Sequence, residues 1–201
     1  MAQPPQNQVP KMRNSLLFAA VVLALACKAE AAGSPDPAAP VVAFHDGLAA
    51  LNPADPAADQ RLVKRLAAKT FDMDAMARAV LGDQAARSTP AQRARIEGVF
   101  VKLITSRIEK DPSVGPGSTL TVVKVTPMRS GDEWLVSTKT IRGKAVAPLT
   151  WRVHAEAAGP RIVDVLRAGS SLTAVENARV AGDLRTRGID YVIDELDKNP
   201  S

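Results

Sequence analysis

One cysteine, two histidines and an aromatic content of 3% leave this 201-residue chain few of the groups on which most protein chemistry depends. A single cysteine, Cys27, forms no disulfide within the chain and supplies no cysteine cluster for a metal. His45 and His154 are far apart, and neither has a partner at the i, i+4 spacing that would place two ligands on one helical face, so no metal site is expected. The aromatic residues beyond the N-terminal segment are Phe44, Phe71, Phe100, Trp134, Trp151 and Tyr191, too scattered to build a platform on which bases stack. No apolar run approaches the ~20 residues that cross a bilayer. Glycine-rich phosphate loops are absent from the sequence, as is a serine in a nucleophile elbow.

The N-terminus is informative. Lys11 and Arg13 precede an apolar run from Ser15 to Ala26, and small residues follow to Ala29-Glu30-Ala31. That order predicts a secretory signal peptide over residues 1–31 and an exported mature chain. Cys27 directly after the run raises lipidation as a second course, but Ala24 and Leu25 are the wrong way round for a lipobox, so cleavage after Ala26 or Ala31 is the expectation. Processing after Ala31 leaves no cysteine. It also removes Lys11, Arg13, Lys28 and Glu30, which lowers the net charge of +5 by two. The basic residues that remain are spread singly from Arg61 to Arg187 with acids among them, so no nucleic-acid partner is expected. A mild attraction to anionic lipid headgroups survives.

Residues 32–40 are Ala, Gly, Ser, Pro and Asp and predict a flexible leader. Residues 41–198, about the size at which one core buries most of its apolar surface, are expected to form a single domain. Helices are predicted over Phe44–Leu51, Ala57–Thr70 and Met73–Leu81, the last capped by Asp72 and stopped by Gly82. A longer one starts at Pro90, where Thr89 and Gln92 form a capping box before the stripe Ile96, Val99, Phe100, Leu103, Ile104 and Ile108. Between Gly117 and Gly169 the apolar period changes to two, in four strand-like runs. Leu149, Trp151, Val153 and Ala155 alternate with Thr150, Arg152, His154 and Glu156, placing the first set inward. Helical spacing returns with a second capping box at Thr173 and Glu176, Gly188 as a C-terminal cap, and a last helix with Ile189, Val192, Ile193 and Leu196 on one face. The expected class is α+β: N-terminal helices, a four-stranded antiparallel sheet and two C-terminal helices.

Acids offer little catalysis. Asp72 and Asp74 sit where a helix dipole favours carboxylates, and Asp190, Asp194, Glu195 and Asp197 lie on the wet side of the last helix. Asp164, inside an apolar strand, is the one acid a small pocket enzyme could use; a hydrogen-bonded structural acid is the favoured reading. In Arg161–Arg167 both alternating faces carry aliphatic residues, so something apolar covers each side. Packed helices and an acyl-chain cavity between sheet and helices both satisfy that pattern.

Three ordered blocks carry a family resemblance. Phe71-Asp72-Met73, Ala77-Arg78-Ala79-Val80-Leu81-Gly82 and Ser88-Thr89-Pro90-Ala91-Gln92-Arg93 resemble the opening signature of the MlaC, or toluene-tolerance, family. Asp164-Val165, Gly169-Ser170-Ser171-Leu172, Asn177, Arg179, Arg187-Gly188-Ile189-Asp190 and Leu196 resemble its closing signature. Aromatic residues expected after Gly82, after Phe100 and before Asp164 are missing, which leaves the ligand open between a phospholipid and the polycyclic lipid of a hopanoid-associated branch. The resemblance implies a periplasmic carrier, not an enzyme, that encloses phospholipid tails and passes between an inner-membrane ABC-transporter complex and an outer-membrane lipoprotein complex. It implies no cofactor beyond the bound lipid. Apolar character and expected inward faces nominate Phe71, Met76, Val80, Phe100, Ile104, Leu149, Trp151, Val163, Val165 and Leu172 as its lining, with ordinary core packing open for each. Apolar contacts are non-directional, so weak headgroup selectivity is expected.

Overall fold

The computed structural model describes residues 35–52 and 54–198. The expected signal peptide, its cleavage sites and Cys27 lie outside the described residues. The first helix, α1 (Ala39–Leu48), begins five residues before the predicted Phe44 and ends before Leu51. Its start is set by Pro40 in the first turn and by Asp36, whose carboxylate accepts from the Ala38 N–H at 2.9 Å. Ala38, Pro40 and Val41 are buried, so the end of the expected leader belongs to the packed structure. Short, apolar and rich in alanine, that stretch lacks the large residues by which a helix is recognised in sequence.

Helix α2 (Pro56–Thr70) is capped by Asp55, which accepts from Ala58 N–H at 2.9 Å. Helix α3 (Met73–Leu81) is capped by Asp72 on Ala75 N–H at 2.8 Å and stopped by Gly82 at φ +52°, a conformation that disfavours other residues. A 3-10 turn, Gly82–Arg87, follows. Helix α4 (Pro90–Lys110) carries the predicted capping box, with Gln92 N–H donating to Thr89 Oγ1 at 3.2 Å and Thr89 N–H to Gln92 Oε1 at 2.9 Å.

The sheet has five antiparallel strands in chain order, not four: β1 (Thr119–Pro127), β2 (Glu133–Arg142), β3 (Ala145–His154), β4 (Arg161–Arg167) and the two-residue β5 (Ser170–Ser171). β5 escapes a periodicity search because two serines carry no alternation. The four long runs are where the change of period puts them. Val136, Trp151, Val153 and Ile162 form the buried face of the sheet, while Lys139, Val146 and Pro148 are exposed. Register shifts at Val122/Lys124 and at Arg152/Val153 bend the meander. A parallel bridge between Phe71 and Ile162 and the bond from Asp72 N–H to Ile162 C=O, 2.8 Å, fix the junction of α2 and α3 to β4.

Helix α5 (Leu172–Thr186) is capped by Ser171, accepting from Ala174 N–H at 3.0 Å, rather than by Thr173. Glu176 is therefore no capping-box partner; it is buried and bonds Arg179. The N–H of Thr173 is instead taken by Asp164, which draws the helix start two residues earlier. Gly188, at φ +84°, donates to Asp183 C=O at 3.1 Å and ends α5 as expected. Helix α6 (Ile189–Lys198) buries Val192, Ile193 and Leu196. Its outer acids meet α4: Arg95 reaches Asp190 at 2.8 Å and Asp194 at 2.5 Å, and Lys102 reaches Asp197 at 2.5 Å.

Candidate functional site

Between the buried face of the sheet and helices α1 and α4 lies a recess of about 120 Å³. Leu120, Thr140, Leu149, Trp151 and Val165 supply its sheet wall, one position or two from each of β1 to β4. Phe44, His45 and Leu48 from α1 and Ile104 and Ile108 from α4 supply the opposite wall. Alternation on the strands and i, i+4 spacing on the helices bring these residues to one side of each element. Phe71 and Leu172 complete the lining.

An aromatic group borders it. The Phe44 and Phe71 rings meet edge to face at 5.0 Å, and Trp151 lies 6.3 Å from the first and 6.4 Å from the second. Trp151 Nε1–H donates to Thr138 Oγ1 at 2.8 Å, so its polar edge is satisfied and its ring is left to pack. Helix α1 is tied down at His45, whose Nε2 lies 3.1 Å from Ser118 Oγ. Ser118 spends its hydroxyl proton on Gly115 C=O at 2.6 Å, so the imidazole donates from Nε2.

The recess becomes polar at Arg107, Asp111, Arg167 and Ser170. Asp111 Oδ1 accepts from Ser113 N–H and Oγ–H at 2.9 and 2.6 Å, and Oδ2 faces Arg167 at 3.5 Å. Burial pushes the Arg107 guanidinium below its ordinary value; Glu176, 3.9 Å away, opposes that shift and the like charge of Arg167 adds to it. A second hollow of about 370 Å³, between α2, the end of α4 and the loop before β1, shares Ile108, Asp111 and Val114 with the first. Arg142 stands in it, donating from Nε to Pro112 C=O at 2.7 Å.

Of the residues nominated from sequence, Phe71, Ile104, Leu149, Trp151, Val165 and Leu172 come together on the recess. Met76 and Val80 are fully buried in α3, and Phe100 is buried on α4, all within the hydrophobic core. Val163 lies at the β3–β4 register shift and borders a separate surface cleft with Asp72, Arg78, Glu133, Arg152 and His154. Phe44 and Leu48 are an i, i+4 apolar pair that helical spacing alone could have found; the charged rim joins Arg107 and Asp111, at the end of α4, to Arg167, at the end of β4, and two segments so far apart in the chain give no local signal.

Asp164 is 3% exposed and fully engaged. It accepts from Val165 N–H at 2.9 Å, from Thr173 N–H at 3.1 Å and from the Ser171 hydroxyl. It binds β4 to the start of α5. Among the described residues no three His, Cys, Asp or Glu side chains gather to hold a metal ion, and no helix is long and apolar enough to cross a membrane.

Helices on one face of an antiparallel meander, with an apolar recess between the layers and cations at its rim, define an α+β protein built around an apolar interior. The chain belongs to the MlaC family: the family model described as MlaC protein matches residues 46–198. A solved structure of the phospholipid-binding protein from Ralstonia solanacearum, in complex with a phospholipid, is similar with a TM-score of 0.69 and 17% identity, covering 82% of this chain and 97% of that one. That likeness shows a shared fold. No curated protein sequence matches this chain.

Proposed function

We propose that this protein is a periplasmic lipid carrier, not an enzyme: it encloses the acyl chains of a phospholipid and shuttles it between an inner-membrane ABC-transporter complex and an outer-membrane lipoprotein complex. The observation that carries the reading is the apolar recess between sheet and helices with a charged rim on one side. Family membership and the phospholipid held by the Ralstonia solanacearum protein support it. Two acyl chains hold about 30 methylenes, and exposing them to water costs on the order of 24 kcal/mol at ~0.8 kcal/mol each, so a lipid crosses an aqueous compartment only if its tails are covered.

The recess must widen to do this. Pockets for drug-sized ligands already run to roughly 300–1,000 Å³, a two-chain phospholipid is larger, and the recess is about 120 Å³. Helix α1 is the wall whose displacement would widen it: it is ten residues long and faces the recess with Phe44, His45 and Leu48, and the His45–Ser118 bond is one of its ties. Opening there joins the recess to the neighbouring hollow through Ile108 and Val114. Uptake and release then depend on the balance between the open protein and the bilayer or a docked partner.

Native mass spectrometry with lipid extraction, on protein purified from a bacterial periplasm without detergent, tests this reading. One phospholipid per chain is the expected result. A polycyclic lipid in its place would move the ligand to the hopanoid class, and a chain that carries no lipid and takes none from liposomes would overturn the carrier reading.

A further inference from the structure

Helix α2 turns a face to solvent that is built of cations and alanines. Arg61, Arg65 and Lys69 follow one another at i, i+4 and i+8, about 12 Å along the axis, with Ala57, Lys64 and Ala68 on the same arc, and all six are exposed. Val63, Ala67 and Thr70 are buried on the opposite side, so the packing of α2 also fixes where its charges point. Four cations stand against one acid, Asp59, in this helix. The residues three and four places after Asp59 are Leu62 and Val63, so it meets no cation along the helix, and its carboxylate accepts from Asn52 N–H at 2.7 Å. On α3 and α4 comparable surface cations are paired: Arg78 with Asp74, Arg95 with Asp190 and Asp194, Lys102 with Asp197. Arg61, Arg65 and Lys69 have no ion pair among the described residues. The dipole at the C-terminal end of α2 offsets Lys69, but like charges at i, i+4 repel, and nothing in the helix offsets Arg61 and Arg65.

We propose that this face of α2 docks the protein on the surface of an anionic bilayer, an interaction separate from lipid carriage and independent of what the recess holds. Charge complementarity selects the partner. Cations spread over successive turns with only methyl groups between them match the diffuse negative potential of a membrane rich in acidic lipids, which raises binding by about fivefold for each Lys or Arg near it. A second copy of this chain is disfavoured, because a two-fold contact sets the same cations against each other. A protein partner needs an anchor, and this face offers no aromatic or large apolar residue; its three aligned cations border neither the recess nor the hollow beside it. The hollow meets α2 at Val63, on the opposite side of the helix, so docking and lipid entry use separate surfaces.

The test sediments protein purified from a bacterial periplasm with vesicles of phosphatidylcholine, alone or with phosphatidylglycerol as a third of the lipid. In about 0.1 M NaCl wild type should bind the anionic vesicles at least tenfold more tightly than the neutral ones, and about 1 M NaCl, which shortens the Debye length from ~10 to ~3 Å, should remove the difference. Arg61→Gln/Arg65→Gln/Lys69→Gln, which keeps good helix formers in α2, should lose more than about tenfold in binding. Lys124→Gln/Lys139→Gln/Lys144→Gln takes the same charge from exposed positions on β1, β2 and the turn before β3, and should bind as wild type. If the sheet variant loses binding and the α2 variant keeps it, or if wild type does not prefer anionic vesicles, the proposal is overturned. Arg61→Lys/Arg65→Lys should also bind as wild type, since a diffuse field reads charge and not guanidinium geometry; loss of binding there would mean a shaped partner and overturn the bilayer assignment. Circular dichroism checks that each variant is folded, and bound lipid counted by native mass spectrometry should be the same in all. Loss of bound lipid together with docking would make α2 part of the lipid site and overturn the proposal, whereas vesicle docking through α2 by a protein that carries no lipid upholds it and removes only the carrier reading.

Discussion

Asp164 shows how a residue suited to chemistry by type can be occupied by structure. A carboxylate in an apolar strand is costly to bury unless each oxygen is hydrogen-bonded, and here Val165, Thr173 and Ser171 meet that requirement. Two of the three partners are backbone N–H groups, of Val165 and Thr173. Asp164→Ala should therefore lower stability by about 2–4 kcal/mol, because it strands buried donors as well as removing bonds, measured by urea denaturation at neutral pH. Asp164→Asn keeps one accepting oxygen and should lose roughly half as much. Lipid uptake by the folded Asn variant should match wild type; a folded Asn variant that loses the protein's function would return the acid to a catalytic part.

Elements whose ends carry side-chain signals were legible, and those whose ends depend on distant partners were not. Thr89, Pro90 and Gln92 are adjacent in sequence and together fix the start of α4, so the capping box is the same on paper and in space. Thr89→Ala should cost about 1 kcal/mol of stability by loss of the bond to Gln92 N–H, read as a fall in the denaturation midpoint with unchanged slope. The same pattern at Thr173 and Glu176 misled, because Asp164, on another element, claims the Thr173 N–H and Arg179 claims Glu176. Helix α1 was placed late for a related reason. Its first turn is alanine, proline and valine, and the burial that makes it helical comes from tertiary contacts rather than from its own pattern.

At the scale of the molecule, the strand periodicity was enough to say which residues face the helices, but not which of those face a hollow and which a packed neighbour. Leu149 and Val153 alternate identically; Leu149 borders the recess while Val153 is fully buried, a difference made by what packs over each, which no single strand encodes. That difference makes a decisive variant available. Leu149 is half-buried beside the recess, so Leu149→Glu can keep its carboxylate hydrated when the interior is small, and the fold should survive with a change in Tm of a few degrees. Acyl chains filling the same space would strip that water from the charge, at a cost of several kcal/mol. Uptake of phospholipid from liposomes should thus fall by more than about tenfold, each ~1.4 kcal/mol being a factor of ten. Leu135→Glu is the matched control: Leu135 is also half-buried and is outside the recess lining, so a carboxylate there meets no acyl chain and uptake should be retained. If both variants carry lipid as wild type does, the tails lie elsewhere than between the sheet and α1 and α4; if only Leu149→Glu fails, the recess is the space they enter.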